Sequence, residues 1–199
     1  LKQGIEDGFL APYMIHRVNL EIDTVGYIPK PGEKDLNGKL LENRKYGYKD
    51  FDRILIVDER RKAVAKHLTD FLEKNGKYSK TILFCQNSEH ALAMTKLLRN
   101  YSGEDYNYAV RIVSAEGEIG LEHLSKFQEP NTDFPVIAVT SKLLSTGVDV
   151  PTCRVIALDK SLNSMTEFKQ IIGRGSRVLE SKDKMWFSIL DYRKTSRLF

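Results

Sequence analysis

The sequence has few of the features that stabilise small secreted proteins or anchor membrane proteins. It contains two cysteines, Cys85 and Cys153, and each lies in or beside an apolar run. We therefore expect buried thiols in a reducing compartment and no disulfide. No apolar run approaches the ~20 residues that span a bilayer, and no signal peptide is recognisable. These absences predict a cytoplasmic protein without a membrane partner, and the start at Leu1 suggests a fragment of a longer chain.

The chain also lacks a strong excess of either charge. Lysine and arginine number 31 against 27 acidic residues, so the net charge is +4. This mild basic bias permits a nucleic-acid partner without requiring one. With 199 residues, 41% of them hydrophobic, the chain is long enough and apolar enough to form one sizeable core.

From about Asp52 onward, short β-branched runs alternate with longer amphipathic ones. This alternation is typical of α/β proteins in which helices cover both faces of a parallel sheet. The predicted strands cover residues 53–57, 81–85, 108–114, 135–140, 154–159 and 185–192.

Four helices are predicted between these strands, over residues 62–75, 88–99, 121–127 and from 164 onward. Gly76 is the expected cap after the first of them, and Ser88 is the expected N-cap of the second. Ser164 and Glu167 have the spacing of a capping box at the start of the fourth.

The first fifty residues follow no regular period. We expect residues 1–50 to be an extension with a strand or hairpin and a long loop, and residues 51–199 to form the main domain. Lysines, Arg44 and the tyrosines Tyr27, Tyr46 and Tyr48 interleave in the extension. This composition suits either a nucleic-acid backbone or simply a solvated hairpin loop.

The segment VTSKLLSTGVDVP, residues 139–151, follows a predicted strand at the edge where parallel sheets usually bind ligands. Thr140 and Ser141 offer hydroxyls, Gly147 allows a close backbone approach, and Asp149 can accept a hydrogen bond from a sugar. A glycine turn with a capping aspartate explains the same residues without any ligand.

The segment TEFKQIIGRGSR, residues 166–177, ends an apolar helical run with two arginines three positions apart. Residues at that spacing share a helix face, so Arg174 and Arg177 can converge on one phosphate. Taken alone, their position near the negative end of a helix explains the two arginines without any ligand.

Considered together, these segments resemble motifs V and VI of superfamily 2 helicases and translocases in both order and spacing. Gln170, Gly173, Arg174 and Arg177 match Q-x-x-G-R-x-x-R of motif VI, and Thr140 begins a match to motif V. KTILFCQNSEHA, residues 80–91, resembles motif IV, which the other two follow.

A closer resemblance is to the motor (R) subunit of type I restriction enzymes, with type III enzymes next. It extends over nearly the whole chain, through the segments DGFLAPY at 7–13, YKDFDR at 48–53 and NSMTEFKQIIGRGSR at 163–177. Ser141 and Lys142 stand where many RNA-type relatives carry an acidic residue after the motif V threonine. This difference disfavours the DEAD-box branch.

The resemblance implies a second RecA-like domain that supplies half of an ATP site. In such motors ATP and Mg²⁺ lie between two RecA-like domains, and the second provides arginine fingers. The sequence contains no G-x-x-x-x-G-K-[ST] loop, and no acidic pair follows a buried strand convincingly, so this chain is not expected to hydrolyse ATP alone.

The family implies a role for each matching residue. Arg174 and Arg177 would be the fingers and Gln170 would hold their geometry. The nucleotide would lie against Gly147, Asp149 and Gly173, and double-stranded DNA would contact Thr140, Ser141, Gln86 and Asn87. The implied protein partners are the first RecA-like domain of the parent chain and the methyltransferase and specificity subunits of a restriction complex.

Two alternatives remain open at this point. One is another superfamily 2 motor, such as a repair helicase or a type III subunit. The other is a non-catalytic RecA-like module that only binds nucleic acid or protein. We expect no metal site, because the four histidines lack ligand spacing and suit packing or surface roles: His16, His67, His90 and His123.

Overall fold

The fold was analysed in a computed structural model that describes residues 11–142, 150–162, 164–174, 179 and 184–198. Its centre is a sheet in which all six strands run parallel, in the order β1-β6-β5-β2-β4-β3. The α/β class predicted from the alternating pattern is therefore confirmed. The strands are β1 (Tyr13–Arg17), β2 (Thr81–Cys85), β3 (Ala109–Arg111), β4 (Ile137–Thr140), β5 (Val155–Asp159) and β6 (Phe187–Asp191).

Helices connect the strands and cover both faces of the sheet. Short 3₁₀ segments at Ser114–Glu116 and Thr195–Leu198 accompany them in the described residues. Among the described residues, no helix is both long and apolar enough to cross a membrane. The helices are α1 (Glu21–Val25), α2 (Asp58–Asn75), α3 (Ser88–Ser102), α4 (Gly117–Gln128) and α5 (Met165–Gly173).

Alternate side chains of each strand enter one of two cores. Ile82 and Phe84 of β2 point to the face covered by α4 and α5, whereas Leu83 and Cys85 point to the face covered by α2 and α3. Because both faces are covered, β2, β4, β5 and β6 are buried at every position. This explains the nearly uninterrupted apolar runs in the sequence.

Most predicted elements are present. Strand β2 has the predicted bounds, β3 to β6 are shorter than predicted, and the first three predicted helices are longer. Gly76 follows α2 with a φ of 127°, and its amide donates to the carbonyl of Leu72, as expected of a C-cap. The N-cap prediction for α3 was wrong by one residue. The cap is Asn87, whose side chain accepts from the amide of His90, and Ser88 is the first helical residue.

The strand predicted at residues 53–57 was wrong. The chain turns there instead, and Phe51 and Leu55 form an isolated bridge. Phe51, Leu55 and Val57 bury their side chains in a small separate cluster with Tyr46. The apolar residues that suggested a strand therefore anchor a turn.

The first part of the chain belongs to the same sheet. Strand β1 pairs in parallel with β6, in a register that places Tyr13 beside Phe187. Antiparallel bridges between Tyr27 and Tyr46 and between Lys34 and Leu40 then fold the next segment back on itself. The division into an extension, 1–50, and a main domain, 51–199, remains a prediction.

Candidate functional site

The polar residues predicted to bind DNA lie at the carboxyl edge of the sheet. Gln86 and Asn87 follow β2, and Thr140 and Ser141 end or follow β4. The two strands are hydrogen-bonded neighbours, with Phe84 beside Thr140 in the register. The structure therefore brings the predicted motif IV and motif V residues to one place.

The Asn87 side chain is occupied at both ends within the protein. Its Oδ1 accepts from the His90 amide at 2.8 Å, which caps α3, and its Nδ2 donates to the Asp52 carbonyl at 3.2 Å. The neighbouring Gln86 uses Oε1 to accept from the Ser161 amide at 3.2 Å. These contacts hold the turn after β2 in a fixed position against Ser161, which follows β5, and against the turn that contains Asp52.

Thr140 and Ser141 are both buried. The Thr140 hydroxyl donates to the carbonyl of Lys142 at 2.8 Å, and the Ser141 carbonyl accepts from Lys160 Nζ at 3.4 Å. Lys160 also pairs with Glu167 on α5 at 2.9 Å. One lysine after β5 thus contacts both the end of β4 and the helix that leads to the predicted arginine fingers.

Helix α5 presents the predicted motif VI residues on its outer side. Ser164 Oγ accepts from the Glu167 amide at 3.1 Å, so the predicted N-cap is confirmed. Phe168, Ile171 and Ile172 are buried, whereas Gln170 and Gly173 are exposed. Gln170 and Arg174 are four positions apart and share one side, with Arg174 half-buried at the helix end.

Three of the predicted site residues lie outside the described part of the chain. They are Gly147 and Asp149 of the motif V segment and Arg177 of motif VI. The structure therefore brings together Gln86, Asn87, Thr140 and Ser141, and it places Gln170, Gly173 and Arg174 on α5. The roles of all these residues remain predictions.

A buried ionic network that was not predicted from the sequence lies at the same edge of the sheet. Asp159, the last residue of β5, accepts from Arg60 Nη1 and from Arg193 Nε, each at 2.7 Å. Arg60 Nε also donates to Asp23 at 2.7 Å, and Arg193 Nη2 donates to Asp52 at 2.8 Å. The network ties β5 to the first part of the chain.

The network balances its own charge. Arg61 donates to the second oxygen of Asp52 at 2.6 Å, so three arginines meet three aspartates: Arg60, Arg61 and Arg193 with Asp23, Asp52 and Asp159. Burial alone would raise the pKa of Asp159, but Arg193 and Arg60, with His90, hold that pKa well below its ordinary value. The carboxylate therefore stays ionised in the interior.

His90 was expected to pack, and it lies buried within this network. Its Nδ1 accepts from the Gln86 amide at 3.2 Å, and its Nε2 is 3.2 Å from Asp159 Oδ2. His90, Asp52 and Asp159 are close enough together to form a metal site. The arginines already neutralise both carboxylates, however, and a divalent cation would add uncompensated charge to a buried position. The arrangement is that of a structural ionic network.

With this geometry in view, the chain was compared with known proteins. Residues 52–178 match the family described as the helicase conserved C-terminal domain. This chain belongs to that family. It is the C-terminal RecA-like domain of a superfamily 2 helicase or translocase, as its parallel sheet and motif order predicted.

The similarity of this helicase C-terminal domain to two curated proteins extends beyond the family match. It is 46% identical over 203 residues to the endonuclease subunit of the type I restriction enzyme EcoAI of Escherichia coli, covering 100% of this chain and 25% of that subunit. The corresponding EcoKI subunit of Escherichia coli strain K12 is 28% identical over 168 residues. That match covers 81% of this chain and 14% of the EcoKI subunit. The chain thus spans a quarter or less of these relatives.

Solved structures give the same result. A fragment assigned as the HsdR subunit of a type I restriction enzyme from Vibrio vulnificus YJ016 has a TM-score of 0.74 and 41% identity, covering 98% of this chain and 34% of that one. Domain 2 of the DEAD-box helicase Mss116p has a TM-score of 0.53 and 15% identity. The match covers 67% of this chain and 50% of the Mss116p chain. The second match supports the fold alone.

Proposed function

We propose that this helicase C-terminal domain is the second RecA-like domain of a type I restriction motor subunit, which couples ATP hydrolysis to movement along double-stranded DNA. The observation that carries the proposal is the extent of the similarity. The family match begins at residue 52, yet the EcoAI subunit matches the whole chain, including the first fifty residues. The structural match to domain 2 of Mss116p covers only 67% of this chain. The preceding segment is thus shared with the restriction subunits.

In this proposal the outer side of α5 faces the triphosphate of ATP. Arg174 and Arg177 would donate to phosphate oxygens and stabilise the charge that develops during phosphoryl transfer. Gln170 would hold the geometry, and Gly173 would leave room because it has no side chain. The exposure of Gln170 and Gly173 and the buried opposite face of α5 support this orientation. Gly147 and Asp149 would contact the ribose.

Mg²⁺ would be held elsewhere in the parent chain. Within the described residues, one group of carboxylates and histidine is close enough to bind a metal, and arginines already neutralise it. We therefore assign the Mg²⁺ carboxylate and the phosphate-binding loop to the first RecA-like domain. That domain is the partner without which this chain would hydrolyse no ATP.

DNA would lie along the carboxyl edge of the sheet, against the turns after β2 and β4. Asn87 and the Thr140 hydroxyl already have partners inside the protein, so their proposed part is to shape the surface. Gln86 would contact the DNA backbone through its amide nitrogen. Such contacts position a motor without reading sequence, so site recognition would belong to the specificity subunit of a cytoplasmic restriction complex that also contains the methyltransferase.

Translocation by the parent chain tests this proposal directly. Within a complete restriction complex, the wild-type subunit should displace a third strand from a linear duplex in an ATP-dependent way. The Arg177→Ala subunit should bind the same duplex equally well and displace no third strand. If Arg177→Ala displaces the strand at the wild-type rate, the chain is better described as a binding module.

A further inference from the structure

Within the described part of the chain, two residues other than glycine have positive φ angles, and both lie at the carboxyl edge of the sheet. They are Asp52, with φ 61°, and Lys194, with φ 56°. Residues with side chains rarely adopt this conformation, and it persists where surrounding contacts hold the backbone in place. The turns that contain Asp52 and Lys194 are therefore held in a strained conformation by contacts with their surroundings.

Arg193 holds both turns. Its guanidinium donates to the carbonyls of Tyr48 and Phe51 and to the carboxylate of Asp52, and it is followed directly by Lys194. Lys194 Nζ lies 5.1 Å from the centre of the Tyr48 ring. One buried side chain thus fixes the backbone of residues 48–52 against the turn after β6.

Three cations project from this fixed backbone. Lys49 follows Tyr48, Arg53 follows Asp52, and Lys194 follows Arg193, so each adjoins a residue held in the network. Lys49 and Arg53 are exposed and Lys194 is half-buried. None of the three forms an ion pair with a described carboxylate. We call Lys49, Arg53 and Lys194 the cationic patch.

The nearby acidic residues do not neutralise the patch. Asp50 accepts from the Gly47 amide at 3.0 Å and lies 3.7 Å from Arg44. Asp52 is buried and is neutralised by Arg61 and Arg193. The carboxylates of this segment are therefore used to shape the turns, while its outward cations keep their charge.

The patch adjoins the turn that is proposed to contact DNA. Asn87 Nδ2 donates to the carbonyl of Asp52, the residue just before Arg53. The apolar residues next to the cations in the chain, Tyr48, Phe51 and Ile54, are half-buried or buried. A charged surface without an exposed apolar centre is characteristic of nucleic-acid interfaces, whereas protein interfaces usually have an apolar or aromatic core.

We infer that Lys49, Arg53 and Lys194 bind backbone phosphates of the DNA duplex, next to the turn after β2. The inference rests on the proposed function, because it adds a second set of contacts to the same DNA surface. Arg53 presents a planar fork that matches phosphate oxygens, and the two lysines act as point charges. The patch contributes affinity and register on the duplex but no sequence preference.

The salt dependence of DNA binding by the full parent chain is the test. Each neutralised phosphate contributes about 0.9 to the slope of log K against log salt concentration. We expect K49Q, R53Q and K194Q each to reduce the slope by about 1, and the triple variant to reduce it by nearly 3, on duplexes of any sequence. Lys74→Gln is the matched control, because Lys74 is exposed near the end of α2, at the opposite edge of the sheet, and it should leave the slope unchanged.

Three outcomes separate this inference from its alternatives. An unchanged slope for the triple variant, in a parent that binds DNA, overturns the patch and leaves the proposed function intact. If the triple variant has the wild-type slope for DNA binding but assembles the restriction complex more weakly, the inference is also overturned, because the patch then binds a protein partner. If Lys194→Gln proves unfolded by circular dichroism, the K49Q/R53Q double variant must lower the slope by about 2, or the inference fails. Arg177→Ala, by contrast, should block translocation at an unchanged slope.

Discussion

Replacing Arg193 with methionine should be among the most damaging single substitutions in this domain. Arg193 is 3% exposed, and its side chain joins four partners from two other parts of the chain. Nε donates to Asp159, Nη2 to Asp52, and Nη1 to the carbonyls of Tyr48 and Phe51. Methionine has a similar length and fills much of the same space, so the substitution isolates the loss of charge and hydrogen bonds.

The structure sets the size of the effect. Without Arg193, two arginines remain to balance three buried aspartates, and two backbone carbonyls lose a donor. Removing one member of a buried ion pair typically costs about 3 to 5 kcal/mol. Arg61→Met is the matched control, because it leaves the same charge imbalance but removes one hydrogen bond, to Asp52, instead of four and leaves no backbone carbonyl without its donor; it should cost about half as much, roughly 2 kcal/mol. Total stabilities of about 5 to 15 kcal/mol make the first change severe.

Urea denaturation followed by circular dichroism and by fluorescence of Trp186 would measure both variants. Trp186 is the only tryptophan in the sequence, and it lies next to β6, which leads to Arg193. We expect the free energy of unfolding to fall by about twice as much for Arg193→Met as for Arg61→Met. Equal losses, or a loss below about 1 kcal/mol for Arg193→Met, would refute the claim that Arg193 is the centre of the network.

Two further changes test local features of the fold. Ser164→Ala should lower the free energy of unfolding by about 1 kcal/mol, because it removes the acceptor for the Glu167 amide. Ser164→Asp keeps an acceptor at this position and should keep the wild-type free energy of unfolding. Equal losses in the two variants would contradict the capping role. Burial lowers the pKa of Lys80 to about 8, so the folded state binds fewer protons than the unfolded state between about pH 8 and pH 10.5. The free energy of unfolding of the wild type, measured by urea titration, should therefore rise over this pH interval by on the order of 2 kcal/mol relative to that of Lys80→Met. Parallel pH profiles for the two proteins would refute this expectation.

The sheet could be predicted because its strands are buried on both faces. ILFC in β2 and VIAL in β5 are apolar at every position, which leaves few alternatives to an internal parallel strand. Residues 53–57 show the limit of that reasoning. Their apolar side chains are buried as a strand would bury them, but Asp52 has a positive φ and its carboxylate is held by Arg61 and Arg193. Local pattern alone does not reveal such contacts.

The ionic network could not be predicted from the sequence. Arg60 contacts Asp159, which is 99 positions away, and Arg193 contacts Asp52, which is 141 positions away. No spacing rule joins residues at such distances, since only the fold brings them together. The one signal available was Asp159 itself, a charged residue at the end of an otherwise apolar strand.

The candidate site was predictable in position more than in detail. The strands before Gln86 and Asn87 and up to Thr140 were both predicted, and because parallel strands end at one edge of a sheet, the common position of these residues follows from the sequence. The sequence did not show that Asn87 and Thr140 use their side chains within the protein. The partner of the Asn87 amide group is the Asp52 carbonyl, in a turn whose conformation was predicted wrongly.

The most direct test of the central claim is the rate of DNA-stimulated ATP hydrolysis by the full parent chain at saturating ATP. Arg174→Ala and Arg177→Ala should each lower that rate by about a thousandfold, the scale of a lost arginine finger, while ATP binding and folding are retained. Lys169→Ala is the control, because Lys169 is exposed on the same helix and outside the motif, and it should hydrolyse ATP normally. Wild-type turnover in both arginine variants would contradict the account and leave a RecA-like binding module in its place.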